Sequence, residues 1–491
     1  MSGSLSPAAL DRLLGQWQSA AAPAYRELSD VVRLLILDGR IPLDTALPSE
    51  RSLSAALRLS RTTVTAAYAS LREQGFLSSG QGSRGRTCLP HRSGQGGGPG
   101  TAGLSGAPGL AVPDGVIDLA YASLPASGEV VHRAFAAALT ELPALLPGFG
   151  YDALGVPALR DALAARYSAV GVATTPAQIL VTSGAQHALN IVLRALTGRQ
   201  DKVLVEHPTY PNALDAIRAR GCRIVPVALP PAPEKGWDMD AVESALAQQR
   251  PKLAYVVPDF HNPTGRLMTD TDRRRLVRAA AASGTVLVVD ETLRELNLDG
   301  GEAAPLASFS PAVVSIGSLS KSHWAGLRTG WIRASESLIQ RFAAARTTMD
   351  LGGPVVEQLA AAHLVRSLEE PLPARRAALR ESRDVLLALL QEHLPLWQPE
   401  RPDGGLAVWC RLPSPGSTAL AVTAPDFGIR LAAGPRFGTG GVFENYLRVP
   451  FTLPPDKLET AVLALRSAQD RLDSSPQLRR KLKDFPAVAI A

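Results

Sequence analysis

Cysteine is scarce in this sequence, and apolar runs of membrane-spanning length are missing. The 491 residues contain three cysteines, Cys88, Cys222 and Cys410, whose wide separation fits neither a disulfide framework nor a metal knuckle. No uninterrupted apolar stretch reaches the ~20 residues that a transmembrane helix needs, and the N-terminus lacks the pattern of a secretory signal. We therefore expect a cytoplasmic protein that binds no metal and associates with no membrane.

Charged residues are also few relative to apolar ones. Hydrophobic residues make up 46% of the chain and charged residues 20%, which is the balance of a globular protein. At this length the chain can form two or three domains with sizeable cores. The formal net charge of +6 at pH 7 favours a polyanionic partner only weakly, because many enzymes are mildly basic.

Three short helices are predicted within residues 25–92, after an N-terminal extension over residues 1–24. Apolar side chains recur at helical spacing in the first helix, the second begins near Ser49, and Ser60 can cap the third. A glycine-rich segment over residues 78–87 has the composition of a hairpin or wing. The order of these elements is that of a winged helix-turn-helix, in which the third helix presents its N-terminus to base edges and phosphates.

Dense motifs over residues 47–51, 60–64 and 75–77 are similar to those of the α+β winged helix-turn-helix of GntR-type regulators. The resemblance implies that this domain binds a double-stranded DNA operator. The side chains that it assigns to DNA are Arg51, Arg61, Thr62, Thr63 and Arg84. Without the resemblance, these arginines are equally compatible with the solvated face of a small domain that binds another protein.

Residues 93–115 are rich in glycine and proline and have few bulky side chains. We interpret them as a flexible linker that separates the first domain from residues 116–491. A coil of about 23 residues has a typical end-to-end distance of roughly 25 to 30 Å. The first domain can therefore stand away from the rest of the protein.

From Val116 onward, apolar strands alternate with helices, which predicts a layered α/β domain with a mainly parallel sheet. A smaller C-terminal α+β subdomain is expected to include about residues 354–491, with a strand over residues 404–409. The strands predicted for the main sheet are 179–182, 202–206, 223–227, 253–257, 285–290 and 312–316.

Polar residues follow several of these strands, where a parallel sheet holds its ligands. Gly184 opens a helix, so backbone amides can reach a phosphate there. Tyr210 can stack on a planar ring, and Asn262 can hydrogen-bond a phenolic oxygen. Asp290 can pair with a protonated pyridine nitrogen, and Lys321 can form a Schiff base with an aldehyde. Each residue alone is typical of ordinary structure, but five such features in one order favour a pyridoxal phosphate site.

The stretch from about Val116 to residue 470 resembles the fold-type I aminotransferases, which bind pyridoxal 5'-phosphate. The resemblance implies that Tyr210 stacks on the cofactor ring, that Asn262 contacts the ring hydroxyl and that Asp290 pairs with the pyridine nitrogen. It implies that Lys321 carries the internal aldimine. The residues that it assigns to the phosphate are Gly184, Ala185, Gln186, Ser318 and Arg328.

Three more positions gain a meaning from this resemblance. Tyr151 matches the tyrosine that reaches the phosphate of the partner subunit, which implies an obligate homodimer. Arg448 resembles the arginine that binds a substrate carboxylate, here the carboxylate of an effector. Thr292 departs from the pattern, because the family usually has a tyrosine there that shares the ring hydroxyl. Threonine is too short to replace that phenol, which argues against efficient turnover.

Both halves together resemble MocR-type regulators, in which a winged helix-turn-helix is joined by a linker to an aminotransferase-like domain. The resemblance implies a dimeric transcription factor whose large domain senses pyridoxal phosphate, or an amine or amino acid that displaces Lys321 from the aldimine. Two alternatives remain open. One is a working aminotransferase with an accessory DNA-binding domain, and the other is a sensor of pyridoxal phosphate alone.

Overall fold

The computed structural model describes residues 4–15, 17, 23–37, 41, 45–78, 85–88, 115–232, 234, 236–301 and 303–474. Contacts divide the chain into two compact units, and the boundary lies between Val116 and Ile117. Every helix in the described ranges is too short or too polar to cross a membrane.

The first unit contains helices followed by a short antiparallel hairpin. The helices are α1 (Pro7–Leu14), α2 (Ala24–Leu37), α3 (Glu50–Leu57) and α4 (Arg61–Glu73), and the strands are β1 (Leu77–Ser78) and β2 (Arg86–Thr87). The three helices and the hairpin that the sequence predicts are thereby confirmed. Arg84 and all of the predicted linker except Gly115 lie outside the described residues.

Serine caps determine where α3 and α4 begin. Ser49 Oγ accepts a hydrogen bond from the Ser52 amide at 3.2 Å, and Ser60 Oγ accepts one from the Thr63 amide at 3.0 Å. Between the two helices, Arg58 has a left-handed backbone with φ 54°. This residue ends α3 and turns the chain directly into α4, as a helix-turn-helix requires.

The residues before α2 contribute to the core of the first unit. Leu10 and Leu14 of α1 are buried in one hydrophobic cluster with Leu28 of α2 and Val64 of α4. Trp17 is buried in the same cluster. The N-terminal extension, to which the sequence assigns no function, therefore contributes Leu10, Leu14 and Trp17 to the core that the following helices form.

The second unit contains a seven-stranded sheet and a five-stranded sheet in its described residues. In chain order the strands are β3 (Ile117–Leu119), β4 (Ile179–Thr182), β5 (Lys202–His207), β6 (Arg223–Ala228), β7 (Leu253–Val256), β8 (Val286–Asp290), β9 (Val314–Ser318), β10 (Gly330–Arg333), β11 (Gln398–Glu400), β12 (Ala407–Arg411), β13 (Ile429–Ala433) and β14 (Tyr446–Pro450). The large sheet has the order β4-β10-β9-β8-β7-β5-β6, and the small sheet has the order β11-β12-β14-β13-β3.

Helices surround both sheets. They are α5 (Gly128–Glu141), α6 (Pro157–Ala169), α7 (Ala185–Leu196), α8 (Pro211–Ala219), α9 (Met239–Gln249), α10 (Asp270–Ser283), α11 (Glu336–Arg346), α12 (Val355–Arg366), α13 (Leu372–His393), α14 (Ser417–Thr423) and α15 (Pro455–Asp473). Leu359 and Leu364 of α12 are buried in the same cluster as Val181 of β4, so this helix packs on the large sheet.

The large sheet is parallel except at β10, which runs antiparallel to β4 and β9. The six strands that the sequence predicts here are confirmed, and the mainly parallel sheet with them. β10 was not predicted, because its four residues follow a turn directly and begin with glycine. β9 spans Val314–Ser318 rather than the predicted residues 312–316, so Ser318 is the last residue of the strand.

Alternating side chains of the large sheet divide between two hydrophobic cores. In β5, Leu204 joins one cluster, whereas Val203 and Val205 join the other. Successive side chains of a strand point to opposite faces, so both faces of this sheet are covered. Leu276 of α10 lies in the first cluster and Leu189 of α7 in the second.

Candidate functional site

The carboxyl ends of four neighbouring strands lie side by side at one edge of the large sheet. β9, β8, β7 and β5 are adjacent and parallel. Lys321 follows β9, Asp290 ends β8, Asn262 follows β7 and Tyr210 follows β5. Neighbouring strands are about 4.8 Å apart. The fold therefore brings to one edge the side chains that the sequence assigns to the cofactor ring.

The antiparallel strand β10 completes this edge. Gly330 lies opposite Ser318 of β9 on one side and Thr182 of β4 on the other. Arg328, just before β10, donates from Nη2 to the carbonyl oxygen of Ser183 at 2.8 Å. β10, which the sequence did not predict, therefore lies between the two predicted parts of the phosphate site, one after β4 and the other at the end of β9.

Two glycines form a cradle at the same point. A Cβ atom on Gly330 would lie 2.6 Å from the Gly184 carbonyl carbon, and one on Gly184 would lie 3.1 Å from Arg328 Nη2. Gly184 also has a φ of 99°, which residues with a side chain rarely adopt. α7 begins directly after it, and no described side chain caps this helix start. The first amides of α7, those of Ala185 and Gln186, can therefore bind an anion.

The polar side chains around the cradle are only partly satisfied. Gln186 Nε2 donates to the carbonyl oxygen of Asn212 at 3.1 Å, while its buried Oε1 has no hydrogen-bond partner among the described residues. Ser318 Oγ donates to the carbonyl oxygen of Thr329 at 3.0 Å and accepts from the Ser320 amide at 3.1 Å. The cradle therefore holds a serine hydroxyl in place and leaves an amide oxygen unpaired.

Asp290 is held by two donors at the end of β8. The Tyr255 hydroxyl donates to Asp290 Oδ2 at 2.6 Å, and the Thr292 amide donates to Oδ1 at 2.9 Å. Burial and the adjacent carboxylate raise the pKa of Tyr255 well above its usual value, so this phenol remains a neutral donor. Both contacts fix the orientation of the Asp290 carboxylate at the end of β8.

The sequence analysis missed Tyr255, because it expected a tyrosine near Asp290 only at position 292, where this chain has threonine. Thr292 contributes its backbone amide to the site. Tyr255 lies on β7, the strand beside β8, and is buried. The available signal was a tyrosine within an apolar strand, but tyrosine is as common in buried strands as in sites.

A second buried carboxylate adjoins Asp290. Glu291 accepts hydrogen bonds from the Tyr167 hydroxyl at 2.7 Å and from Ser315 Oγ at 2.9 Å. Trp331 Nε1 donates to the same tyrosine oxygen at 3.0 Å. Burial raises the pKa of Glu291. This network, also absent from the sequence prediction, fixes the strand ends behind the site.

Lys321 is half-buried and its amine is partnered by backbone. Lys321 Nζ donates to the carbonyl oxygen of Ala122 at 2.7 Å. Burial, and then the charge of Arg448, lower the pKa of Lys321 to about 8, against a smaller opposing effect of Asp290. A substantial fraction of this amine is therefore neutral, and so nucleophilic, slightly above physiological pH.

Arg448 lies on β14 and is buried. Arg448 Nη2 donates to the carbonyl oxygen of Ala120, and Nη1 lies 3.4 Å from Asn262 Oδ1. Its Nε is buried and has no hydrogen-bond partner among the described residues. Burial and the nearby Arg436 lower its pKa to about 10. This guanidinium is therefore short of negative charge, which an anionic ligand would supply.

Tyr210 and Tyr151 differ in their surroundings. Tyr210 packs against the large-sheet core, and its hydroxyl accepts from Asn212 Nδ2 at 3.0 Å. Burial and the charge of Asp290 raise the pKa of Tyr210 to about 12. Tyr151, by contrast, is 76% exposed, and no hydrogen bond joins its side chain to another described residue.

The predicted DNA-contacting residues cluster at the start of α4 and on α3. Arg61, Thr62 and Arg51 are exposed, and neither guanidinium has a hydrogen bond or ion pair among the described residues. The Thr62 and Thr63 hydroxyls each lie 2.7 Å from Ser60 Oγ. The N-terminus of α4 thus presents hydroxyls and one unpaired cation.

Each of the two units matches a known protein family. Residues 24–85 match the gntR family of bacterial regulatory proteins. Residues 149–465, well over half of the chain, match the aminotransferase class I and II family. The chain belongs to this aminotransferase family. With the GntR-type domain before it, the protein has the organisation of a MocR-type transcriptional regulator.

Proteins similar to this chain include both aminotransferases and transcriptional regulators. The 2-aminoadipate transaminase of Thermus thermophilus is 33% identical over 290 residues, which cover 57% of this chain and 72% of that protein. The uncharacterized HTH-type transcriptional regulator YisV of Bacillus subtilis is 26% identical over 441 residues, 81% of this chain and 86% of the relative. The crystal structure of the α-aminoadipate aminotransferase LysN from Thermus thermophilus, complexed with N-(5'-phosphopyridoxyl)-L-leucine, has a TM-score of 0.67 at 29% identity and covers 74% of this chain and 94% of its own.

Aminotransferases of this family use pyridoxal 5'-phosphate, and the residues at this edge of the sheet fit that cofactor. The glycine cradle has room for an anion because Gly184 lacks a side chain. Asp290 is a buried carboxylate, and Lys321 is an amine with a lowered pKa. Among the described residues, the buried Nε of Arg448 has no hydrogen-bond partner and marks a place where an anionic ligand would complete the hydrogen bonding.

Proposed function

We propose that this MocR-type protein regulates transcription by sensing pyridoxal phosphate, or an amino compound that reacts with it, at Lys321. The observation that carries the proposal is the half-buried amine of Lys321, whose pKa burial and the charge of Arg448 lower to about 8, against a smaller opposing effect of Asp290. An amine of this kind captures an aldehyde near neutral pH. The same chain carries the GntR-type domain that would act on DNA.

Different residues at this edge of the sheet would contact different parts of the cofactor. The aldehyde of pyridoxal phosphate condenses with primary amines, and its protonated ring withdraws electrons. Asp290 pairs with the ring nitrogen, Tyr210 stacks on the ring, and Asn262 contacts the ring hydroxyl. The phosphate would be held by Gly184, by the first α7 amides of Ala185 and Gln186, by Ser318 and by Arg328.

Arg448 binds the carboxylate of an amino acid effector. Among the described residues, its Nε has no hydrogen-bond partner, and its Nη2 donates to a neutral carbonyl oxygen. A carboxylate would accept from both atoms in a bidentate arrangement, which lysine cannot reproduce. The neighbouring Arg436 adds positive charge at this site. An amine without an acidic group would lose this interaction, so we infer that the preferred effector is an amino acid.

The regulator acts as a homodimer to which each subunit contributes Tyr151. Phe149 is 96% exposed, and Leu146 and Leu351 are also exposed. The segment that contains Phe149 lies against the segment that contains Leu351, because a Cβ atom on Gly352 would lie 2.8 Å from the carbonyl oxygen of Asp152. Such an apolar surface is typical of a protein interface, and the tyrosine beside it would reach the phosphate site of the partner.

The operator is double-stranded DNA bound by two first units. Arg51 and Arg61 are unpaired cations within the described residues, which suits phosphate contact. Thr62 and Thr63, at the N-terminus of α4, suit contact with base edges. Arg84, which lies outside the described residues, would add a further contact to the operator.

Absorption spectroscopy tests the proposal. Pyridoxal phosphate is added to the full-length protein and to Lys321→Ala, followed by a panel of amines and amino acids. We expect a band near the visible edge that requires Lys321 and shifts with one class of amino acid, together with altered operator binding under the same conditions. Lys202→Ala is the matched control, because Lys202 Nζ also donates to a backbone carbonyl, that of Gln249, outside the site.

Three other outcomes would contradict parts of the proposal. No Lys321-dependent band would reject the cofactor assignment. Steady transamination between an amino acid and a keto acid, with no effect on operator binding, would favour an enzyme with an accessory DNA-binding domain. Altered operator binding with pyridoxal phosphate alone, and no response to any amine, would identify the cofactor itself as the signal.

A further inference from the structure

Ser183, which connects β4 to the glycine cradle, is held from two sides. Its carbonyl oxygen accepts a hydrogen bond from Arg328 Nη2 at 2.8 Å. Its amide donates to Nδ1 of His187 at 3.1 Å. The amides of Ala185 and Gln186, which the proposed function assigns to the phosphate, follow within three residues. The direction in which they point therefore depends on how Ser183 is held.

His187 is the third residue of α7, and the sequence analysis gave it no role. Its side chain reaches back to the amide of Ser183, a residue that precedes the helix. The third residue of a capping box makes a contact of the same kind. Such a contact fixes the first turn of a helix relative to the chain that leads into it.

The contact with Ser183 determines which ring nitrogen of His187 carries the proton. An amide nitrogen can only donate, so Nδ1 accepts, and the proton of the neutral ring lies on Nε2, 3.5 Å from Asp350 Oδ2. Burial lowers the pKa of His187, against an opposing effect of Asp350. The charges of Arg346 and Arg328 lower it further. The ring is therefore neutral near neutral pH, as an acceptor for Ser183 must be.

Asp350, which faces this ring, is itself fixed by other contacts. Its Oδ1 accepts from the amide of Gly352 at 3.2 Å and from Nε of Arg346. Arg346 is buried and also donates to the carbonyl oxygen of Val181 in β4 at 2.6 Å. The carboxylate therefore has a defined position relative to β4, and it orients the imidazole that holds the end of this strand.

We propose that His187 is a positioning residue for the phosphate of the cofactor, which it affects by holding Ser183 so that the first amides of α7 face the anion. Asp350 keeps the ring of His187 in the tautomer that this contact needs. The inference rests on the proposed function, because it takes the glycine cradle as the phosphate site. A turn that is already held before the ligand arrives loses less conformational freedom on binding.

Two substitutions separate the roles of the two ring nitrogens. The side-chain oxygen of asparagine lies where Nδ1 lies, so His187→Asn keeps an acceptor for Ser183 and loses the contact with Asp350. The polar end of glutamine lies near Nε2, so His187→Gln keeps the contact with Asp350 and loses the acceptor. We expect the affinity for phosphate-bearing ligand to stay near wild type in His187→Asn. In His187→Gln it should fall by on the order of tenfold, the size expected for one hydrogen bond.

Pyridoxamine 5'-phosphate and pyridoxamine are the probes, because they differ only in the phosphate and neither reacts with Lys321. Isothermal titration calorimetry of the full-length protein gives the ratio of their affinities, which is the preference for phosphate. His187→Gln should reduce this ratio by on the order of tenfold and leave the affinity for pyridoxamine unchanged. A purely structural loss would weaken both ligands alike.

His393→Gln is the matched control. The side chain of His393 is 17% exposed and that of His187 is 13% exposed, and Nε2 of each faces a carboxylate, that of Glu392 in the case of His393. His393 is the last residue of α13, in the predicted small subdomain. The ratio of the two affinities should therefore remain at the wild-type value in this variant.

Nitrogen chemical shifts of isotope-labelled histidine give a second readout, which needs no ligand. We expect His187 to be neutral with its proton on Nε2 near neutral pH, and its signal is the one that disappears in His187→Asn. A proton on Nδ1 would overturn the inference, because Ser183 would then have no acceptor.

The outcomes separate this inference from the proposed function. If the Lys321-dependent band forms but His187→Gln keeps the wild-type preference for phosphate, the inference is overturned and the proposed function stands. If no band forms, the proposed function is rejected, and the two amine probes still decide the inference. Equal affinity of the wild type for both probes would overturn it, as would equal losses in His187→Asn and His187→Gln.

Discussion

The Tyr255 hydroxyl donates a hydrogen bond to Asp290 Oδ2 at 2.6 Å, from one strand of the large sheet to the next. Both residues are buried. A carboxylate at this depth is stabilised by each donor that it has, because it is cut off from water. The tyrosine therefore holds the Asp290 carboxylate in place at the end of its strand.

Tyr255→Phe removes that donor and leaves a buried carboxylate oxygen unsatisfied. We expect the free energy of unfolding of the second unit to fall by about 1 to 3 kcal/mol and the affinity for pyridoxal phosphate to fall with it. Denaturant titration and the absorption band measure the two effects. Tyr446→Phe is the control, since its hydroxyl has no hydrogen bond to another described residue. Equal losses in both variants would argue against a role for the Tyr255 hydroxyl.

The rate at which Lys321 captures pyridoxal phosphate should depend on pH. The pKa of this amine is lowered to about 8 by burial and by Arg448. Only the neutral amine is nucleophilic, so the rate should rise with pH through about 8 and then level off. Arg448→Met removes a positive charge, which should raise the pKa of Lys321 and move the midpoint to higher pH. A midpoint that stays in place would show that the charge of Arg448 does not act on the amine.

Arg448→Lys should weaken the response to amino acid effectors while the cofactor band is retained. A lysine cannot present the bidentate fork, so we expect a loss of roughly 10- to 100-fold in effector affinity, measured by the shift of the band. Amines without a carboxylate should be affected much less. Arg341→Lys on α11, where the side chain donates to the carbonyl oxygen of Ala195, is the control. Equal losses for amines and amino acids would contradict the assignment.

Arg61→Ala should weaken operator binding and make it less sensitive to salt. Each phosphate contact contributes about 0.9 to the slope of log affinity against log salt concentration, so the slope should fall by about 1. Thr62→Ala should instead reduce discrimination between operator and unrelated DNA. The control is Arg341→Ala in the second unit. A slope that is unchanged in Arg61→Ala would exclude phosphate contact by this residue.

Phe149→Glu should break the proposed homodimer. The ring is 96% exposed in the single chain, and a charge in the centre of an apolar interface is costly. Sedimentation velocity should show a monomer, with weaker retention of pyridoxal phosphate because Tyr151 no longer reaches the partner. Leu396→Glu replaces another exposed apolar residue, 73% exposed and distant from Phe149 in the sequence, and this variant should remain dimeric. A dimeric Phe149→Glu would place the interface elsewhere.

Local signals in the sequence were sufficient for much of this fold. Ser49 and Ser60 indicated the starts of α3 and α4, because a capping serine acts on amides within a few residues. The buried strands of the large sheet appeared as short apolar runs. The order of Gly184, Asp290 and Lys321 along the chain predicted a site at the strand ends, since parallel strands share one edge.

The tertiary structure supplied the contacts between residues that are distant in sequence. β10 was not recognised from its own four residues, because a short strand is defined by neighbours on both sides, here Thr182 and Ser318. Tyr255 became part of the site only through the pairing of its strand with the strand of Asp290.

The sequence by itself determined the family and most of the element types, and it predicted the side chains that a cofactor would meet. Those properties follow from spacing and residue chemistry, which are local. Only the tertiary structure showed that Lys321 donates to the carbonyl oxygen of Ala122 and Arg448 to that of Ala120. These hydrogen bonds use backbone carbonyls, which every residue has, so residue types alone do not single them out. The partner of a backbone group is decided by packing, and packing depends on the whole chain.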